Sequence, residues 1–494
     1  MAFFNGGSAV AGSAWWVRCG AAAVTVASAA WLAIPPTPVG HPAVDAQAKG
    51  KAGGAPIGLV GEPMPKAAGT ASMADPSAPA SAKYTVALTS DATGRSWTGT
   101  EQIDFANAGT APINEFWIRL WGNGASGCGG NLPERIGTVT GGRVAENAAN
   151  CTAFRIVLDQ PLAAGARGRV ILDLAIDVPE RRDRFGSVNG RSYLGNALAV
   201  LAVKDENGWE LSPYVSFGES FYSLTADYDV TLDHPTALAT PATGAVADEH
   251  AAGDRTVTHL VAQRVRDFAW SIGAFHHDSV LSAAGVEVDA YWPDSESDSN
   301  VRNLMRYAAG ALDSYAGRFG AYPYPRFSLV FDEFGTAFDG MEYPNYVLSS
   351  AYAGAVAHEV AHQWWFALVG DDQYRHPWLD EAFTEYSAEE FQNGTAPAHS
   401  CDFLKPDERM DQSMETYAKD GDYLYHDAIY HEGTCMLFDL EHTLGKDTMN
   451  RFLKTLFQKY EYGVMRPADV RALAQSMTSQ DLSGFWVKWR NTGD

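Results

Sequence analysis

His358, Glu359 and His362 stand in the run HEVAHQWW, and their types and spacing fit metal-assisted hydrolysis. On an α-helix, residues four apart lie one turn above another on a shared face. His358 and His362 can therefore bring two imidazole nitrogens to a single ion. Glu359 projects beside them, where a carboxylate can take a proton from an attacking water. Two hydrogen-bonded histidines on a buried helix would leave the same trace, so the motif alone does not decide. A catalytic zinc site asks for three protein ligands and a fourth position left open.

The run WLDEAFTEY, from Trp378, offers the third ligand. Pro377 is placed to open a helix there and Asn393-Gly394 to close it. Glu381 and Glu385 lie one turn apart on a shared face, so periodicity does not choose between them. Both also read as a solvated acidic surface.

The elements that must position these groups change in texture along the chain. From Tyr84 to about Trp270 short strand-like runs alternate with turn residues, as in Phe116-Trp117-Ile118, Val170-Ile171-Leu172 and Tyr228-Asp229-Val230. That pattern predicts an antiparallel β-sandwich or saddle. Past residue 286, Val301, Leu304, Met305, Ala308, Leu312 and Tyr315 recur at helical spacing. Tyr322-Pro323-Tyr324-Pro325 ends that helix, Phe327 to Phe331 follow as a strand, and helices dominate the remainder. The fold class is α+β and multidomain. Residues 49–83, rich in Ala, Pro, Gly and Ser, read as a disordered linker. The expected divisions are 1–48, 49–83, 84–285 for the β domain and 286–494 for the catalytic domain.

A chain of 494 residues has material for two to four domains. Its net charge of -24, without a stripe of Lys and Arg, argues against nucleic acid as a partner. The acidity fits an exported protein kept soluble. Arg18 precedes an uncharged stretch from Cys19 to Ile34, and Ala46-Gln47-Ala48 offers a cleavage site. The run is short for a membrane span, which needs ~20 residues. Residues 1–48 are expected to be a signal peptide or an uncleaved anchor. The protein is accordingly expected outside the cytoplasm, secreted or tethered to the outer face of a membrane. Beyond Cys19 there are four cysteines, which permit three pairings. The domain division favours Cys128 with Cys151 and Cys401 with Cys435.

Several stretches together resemble one family. They are GMEYP at Gly340, PYVSFGESFYSLTADYDVTL from Pro213, RDFAW at Arg266 and IYHEG around Tyr430, beside the two helical runs. The chain resembles the zinc aminopeptidases related to aminopeptidase N and leukotriene hydrolase, of the gluzincin group, and in particular their shorter bacterial relatives. The resemblance covers roughly residues 84 to 490. It implies a thermolysin-like α/β peptidase domain after the β domain, and one zinc ion per chain held by His358, His362 and Glu381. In the family eighteen residues separate the second histidine from the glutamate ligand, and that count from His362 lands on Glu381. The resemblance further implies Glu359 as general base and Tyr430 as donor to the oxyanion. Glu342 would bind the free amino terminus of a peptide substrate, and Gly340-Met341-Glu342 would pair with its main chain. Glu385 would orient a ligand histidine.

The family's Gly-Ala-Met-Glu-Asn is here Gly340-Met341-Glu342-Tyr343-Pro344, and the lysine two residues after its tyrosine is Glu432. The large C-terminal helical domain of the longer enzymes is not expected, which would leave the cleft more open. Removal of amino-terminal residues from peptides is thus the expected reaction. A zinc endopeptidase is the runner-up, and an inactive surface-binding protein is a reading from another class.

Overall fold

The computed structural model describes residues 78–493 except 335–337, 395, 398 and 406. The expected leader or anchor, and most of the expected linker, lie outside the described residues. Among the described residues, no helix is long and apolar enough to cross a membrane.

Strands with one inward face build the first half. A seven-stranded sheet runs in the order Ala245–Ala252, Arg255–Val265, Ala226–Pro235, Pro79–Ser90, Ser96–Asn107, Arg167–Asp177, Glu134–Thr140. A four-stranded sheet, Val200–Leu201, Ile113–Arg119, Ala153–Leu162 and Gly142–Ala148, shares its core. Phe105 from the first sheet meets Phe116 from the second edge-to-face, with centroids 4.9 Å apart. The expected sandwich is therefore present, with two corrections. Pro79–Ser90 pairs in parallel with Ala226–Pro235, so the large sheet is mixed rather than purely antiparallel. That strand also begins at Pro79, inside the expected linker, because Pro79 to Lys83 already pair along Ser96–Asn107.

A five-stranded sheet joins the two halves, in the order His276–Leu281, Glu287–Trp292, Arg326–Phe331, Tyr346–Ser349, Gly340–Met341. Its first strand starts ahead of the expected division at 285/286. Both faces of the central strand Arg326–Phe331 are buried, which is why Phe327 to Phe331 read as an apolar run interrupted only by Ser328. Val288, Leu329 and Val347 face the helices, whereas Tyr291, Val330 and Leu348 face the β domain. The helix Asp298–Arg318 buries Val301, Leu304, Met305, Ala308, Leu312 and Tyr315, the stripe read from its periodicity. Arg266 stitches the halves together, donating to Phe366 O at 2.8 Å and Ser223 O at 2.9 Å. Cys128 is bonded to Cys151 within the β domain, and Cys401 to Cys435 among the helices.

The β-domain core holds the carboxyls of Glu101, Glu134 and Asp267, all buried. Burial pushes Glu101 up to about 8 against the pull of the Ala199 N–H, with Asp267 adding to the rise. Glu134 also stands well above the carboxylate range. A folded-state value raised from 4.5 means that stability is full below pH 4.5 and is lost as pH rises through 8. Glu101→Gln is expected to remove much of that decline and to raise the thermal midpoint at pH 8 relative to the parent. The gain is of the order of a few kcal/mol. Thermal melts from pH 5 to 9 check it, and an unchanged pH profile in the variant would contradict it.

Candidate metal centre and substrate cleft

The helix Ala353–Ala361 carries His358 and Glu359, and His362 extends it by one residue through its N–H to His358 O at 3.1 Å. The chain then opens into a wide π-type turn, Gln363–Leu368. That turn leaves the Trp365 carbonyl free, 3.2 Å from His362 Nδ1, with Thr384 Oγ1 at 3.1 Å. The second helix spans Trp378–Asn393, opened by Pro377 and closed by Gly394 with φ 96°. It packs on the first and turns Glu381 and Glu385 toward the histidines.

Glu381 Oε2 lies 3.2 Å from His358 Nε2 and 3.3 Å from His362 Nε2, and the two Nε2 atoms are 3.0 Å apart. Among the described residues these three form the one group of three side chains whose ligand atoms gather within 4.8 Å. Glu385 Oε2 accepts from His358 Nδ1 at 2.7 Å. With each Nδ1 donating outward, both Nε2 lone pairs and the Glu381 carboxylate face one another, a set of three donors suited to one cation. A tetrahedral zinc with bonds of ~2.0–2.1 Å spaces its ligand atoms ~3.3 Å apart, close to the triangle observed. Burial opposes charge on both imidazoles, yet Glu381 outweighs it and holds both above the ordinary range. The donor set therefore fits one zinc ion. Periodicity left Glu381 and Glu385 open; geometry gives Glu381 to the ion and Glu385 to the orientation of His358.

Glu359 is buried beside this triangle, and among the described residues its Oε2 has no hydrogen-bond partner. Burial pushes it up to about 8, against the pull of His358 and His362. A dication nearby draws it back toward the carboxylate. Gly340 makes room for it, since a Cβ there would lie 2.0 Å from Glu359 Oε1.

A cleft of about 570 Å³ opens over the triangle, lined by Gly340, Glu342, Glu359, Glu381 and Tyr430 among others. Gly340–Met341 is the edge strand of the five-stranded sheet, paired on its inner side with Leu348 and Ser349. Glu342 is 3% exposed, and Gln373 Nε2 donates both to its Oε1 at 2.9 Å and to Asp380 Oδ2 at 2.7 Å. Tyr343 anchors the segment from the other side, its hydroxyl donating to Asn196 Oδ1 at 2.9 Å. Strand alternation turns the Met341 side chain into the β-domain core at 0% exposed, so only its backbone can meet a substrate.

Tyr430 stacks on His358 with centroids 5.8 Å apart, which places its ring beside a ligand histidine. His426 and His431 also line the cleft, and His431 stacks instead on Phe403. Glu432, at the position where the resemblance led us to look for a lysine, turns away to accept the Phe403 and Leu404 N–H groups.

The sequence reading missed Glu219. It reaches the cleft from the β domain, held by Arg184 Nη1 at 2.8 Å and within electrostatic range of Glu342 and Glu381. Burial raises it well above the carboxylate range despite Arg184. Its only sequence signal is its place in PYVSFGESFYSLTADYDVTL.

Residues 338–489 match the family described as the peptidase family M1 domain. Over that span the chain is similar to members of peptidase family M1. Aminopeptidase M1-C of Oryza sativa subsp. japonica is 22% identical over 312 residues, 54% of this chain and 34% of the relative. Endoplasmic reticulum aminopeptidase 1 of Mus musculus is 25% identical over 346 residues, 61% of this chain and 36% of the relative. The chain thus spans about a third of the length of these curated relatives. The solved M1 zinc metallopeptidase of Deinococcus radiodurans shares the fold with a TM-score of 0.61 at 15% identity, over 84% of this chain and 95% of that one. A form of it was solved with a Tyr-Ser-Ala substrate (TM-score 0.62, 14% identity, 84% and 95% covered). The matched span contains His358, His362, Glu381 and the edge strand, whereas Glu219 and Arg184 come from the β domain.

Proposed function

We propose that the chain is a zinc aminopeptidase that removes single residues from the free amino terminus of peptides. The observation that carries this reading is the placement of Glu342 and Glu219, two buried carboxylates beside the His358–His362–Glu381 triangle. An ammonium is the group they are built to receive, because a cation relieves the mutual repulsion of Glu219, Glu342 and Glu381 and fixes the first residue against the metal. The outer edge of Gly340–Met341 can take the peptide main chain as an added strand. Zinc, when bound, polarises a carbonyl and lowers the pKa of water. Glu359 accepts the proton of the attacking water and returns it to the departing amine. The Tyr430 hydroxyl donates to the oxygen that gains charge in the transition state. Oxidised Cys128–Cys151 and Cys401–Cys435 support a place outside the cytoplasm.

Amino-acid anilides with a free amine should be cleaved, and their N-acetyl forms should be poor substrates, because acetylation leaves the carboxylates unpaired. Glu342→Ala should keep its zinc and lose about 2–4 kcal/mol in kcat/KM for the free amine. Discrimination against the acetylated substrate should shrink with it. Steady-state kinetics on both substrates check this, and equal rates for free and acetylated anilides would turn the reading toward an endopeptidase.

A further inference from the structure

Gln373 lies between the π-type turn Gln363–Leu368 and the helix Trp378–Asn393, and it is 0% exposed. Its side chain reaches two carboxylates at once. Nε2 donates to Glu342 Oε1 at 2.9 Å and to Asp380 Oδ2 at 2.7 Å. A primary amide carries two N–H donors, and this pair of bonds uses both. Asp380 in turn accepts the Glu381 N–H through Oδ1 at 2.9 Å. It does so in the first turn of the helix, where a carboxylate suits the helix dipole. One chain of bonds therefore leads from Glu342, through Gln373 and Asp380, to the backbone of the metal ligand Glu381.

The segment that carries Gln373 is itself held. The Arg375 N–H donates to Asp372 Oδ1 at 3.0 Å, and the Arg375 guanidinium pairs with Glu210 Oε2 of the β domain at 2.6 Å. On either side of Glu342, Met341 is packed into the β-domain core and Tyr343 is tied to Asn196. The backbone at Glu342 is thus fixed, and Gln373 fixes the carboxylate. Gln373 does not line the cleft, so it meets no substrate.

Removal of a single residue sets a strict distance. The α-nitrogen and the scissile carbonyl belong to the same residue, so the group that receives the ammonium must stand at one spacing from the metal. A glutamate side chain without a partner samples several rotamers, and ordering it on binding costs affinity. A bridge to the helix of the metal ligand sets the spacing before substrate arrives. With Oε1 engaged by Gln373, Oε2 is left to the ammonium.

We propose that Gln373 is a positioning residue for amino-terminus recognition, holding the Glu342 carboxylate at a set distance from the metal centre by bridging it to Asp380. The inference rests on the reading of Glu342 as the anchor of the substrate ammonium.

The test compares two metal-binding inhibitors on the full, zinc-loaded chain: an amino-acid hydroxamate with a free amine, and its N-acetyl form. The first engages the metal and Glu342 together, so its affinity depends on their spacing. The second takes the metal alone. Gln373→Met keeps the length of the side chain and removes both donors. It should weaken the free-amine hydroxamate ~10-fold or more and change the acetylated one by less than about 2-fold. In a Glu342→Ala background the same substitution should weaken the free-amine hydroxamate by less than about 2-fold, because the group it positions is gone. Gln373→Glu keeps the shape but sets a third carboxyl against the other two, and it should act in the same direction. Both variants should retain one zinc per chain. Equal losses on the two inhibitors, no loss on either, or loss of zinc in both variants overturns this inference and leaves the role of Glu342 standing. A zinc-loaded wild-type protein that binds the two hydroxamates alike overturns both.

Discussion

Glu359→Gln is expected to retain its zinc and to lose about 10²–10⁴-fold in turnover. Glu359 is not one of the three gathered ligand atoms, so removing its charge leaves the His358–His362–Glu381 triangle intact. The carboxamide has the shape of the carboxylate and fits the space that Gly340 leaves. What it lacks is a lone pair basic enough to take a proton from the attacking water. The loss should therefore fall on kcat, with KM for a free-amine substrate largely unchanged. Elemental analysis and steady-state kinetics on the same preparation measure both halves, and near-native turnover in the variant would remove Glu359 from its role.

Removing the metal is expected to have the second large effect, on stability as well as on rate. Without a cation, His358 Nε2, His362 Nε2 and Glu381 Oε2 crowd together within 3.0–3.3 Å as mutual acceptors. A proton, which Glu381 favours on either imidazole, bridges two of these atoms and leaves the third unmatched. A ligand present at about 1,000 times its dissociation constant stabilises the folded state by ~4 kcal/mol, and that amount is lost on chelation. The chelated protein should show no turnover and a lower thermal midpoint. One equivalent of zinc should restore both. A chelated, metal-free protein that still turned over would rule out the metal mechanism.

The two helices of the metal centre were legible because their signals are local. Spacing placed His358 and His362 on one face, and Pro377 and Gly394 bounded the next helix where the structure bounds it. Periodicity left Glu381 and Glu385 level for a physical reason: both do reach His358, one at Nε2 and the other at Nδ1. The strand at Pro79–Ser90 was hidden at its start by small residues and proline, since its pairing partners lie elsewhere in the chain. The expected pairing of Gly340-Met341-Glu342 with a peptide main chain asks only for the Met341 backbone, since strand alternation, with Gly340 and Glu342 facing the cleft, turns its side chain inward. Glu219 and Arg184 were beyond local reasoning, because only tertiary packing of the β domain carries them to the cleft. The π-type turn Asp427–Glu432 that carries Tyr430 leaves no mark in composition or period.

The central claim is that a free amino terminus, held by Glu342 and Glu219, sets where the metal centre cuts. A digest of a mixed peptide library, read by mass spectrometry at early times, tests it most directly. The expected spectrum shows successive losses of one residue from free amino termini, with the acetylated half of the library intact. Internal fragments appearing equally from acetylated and free peptides would contradict it.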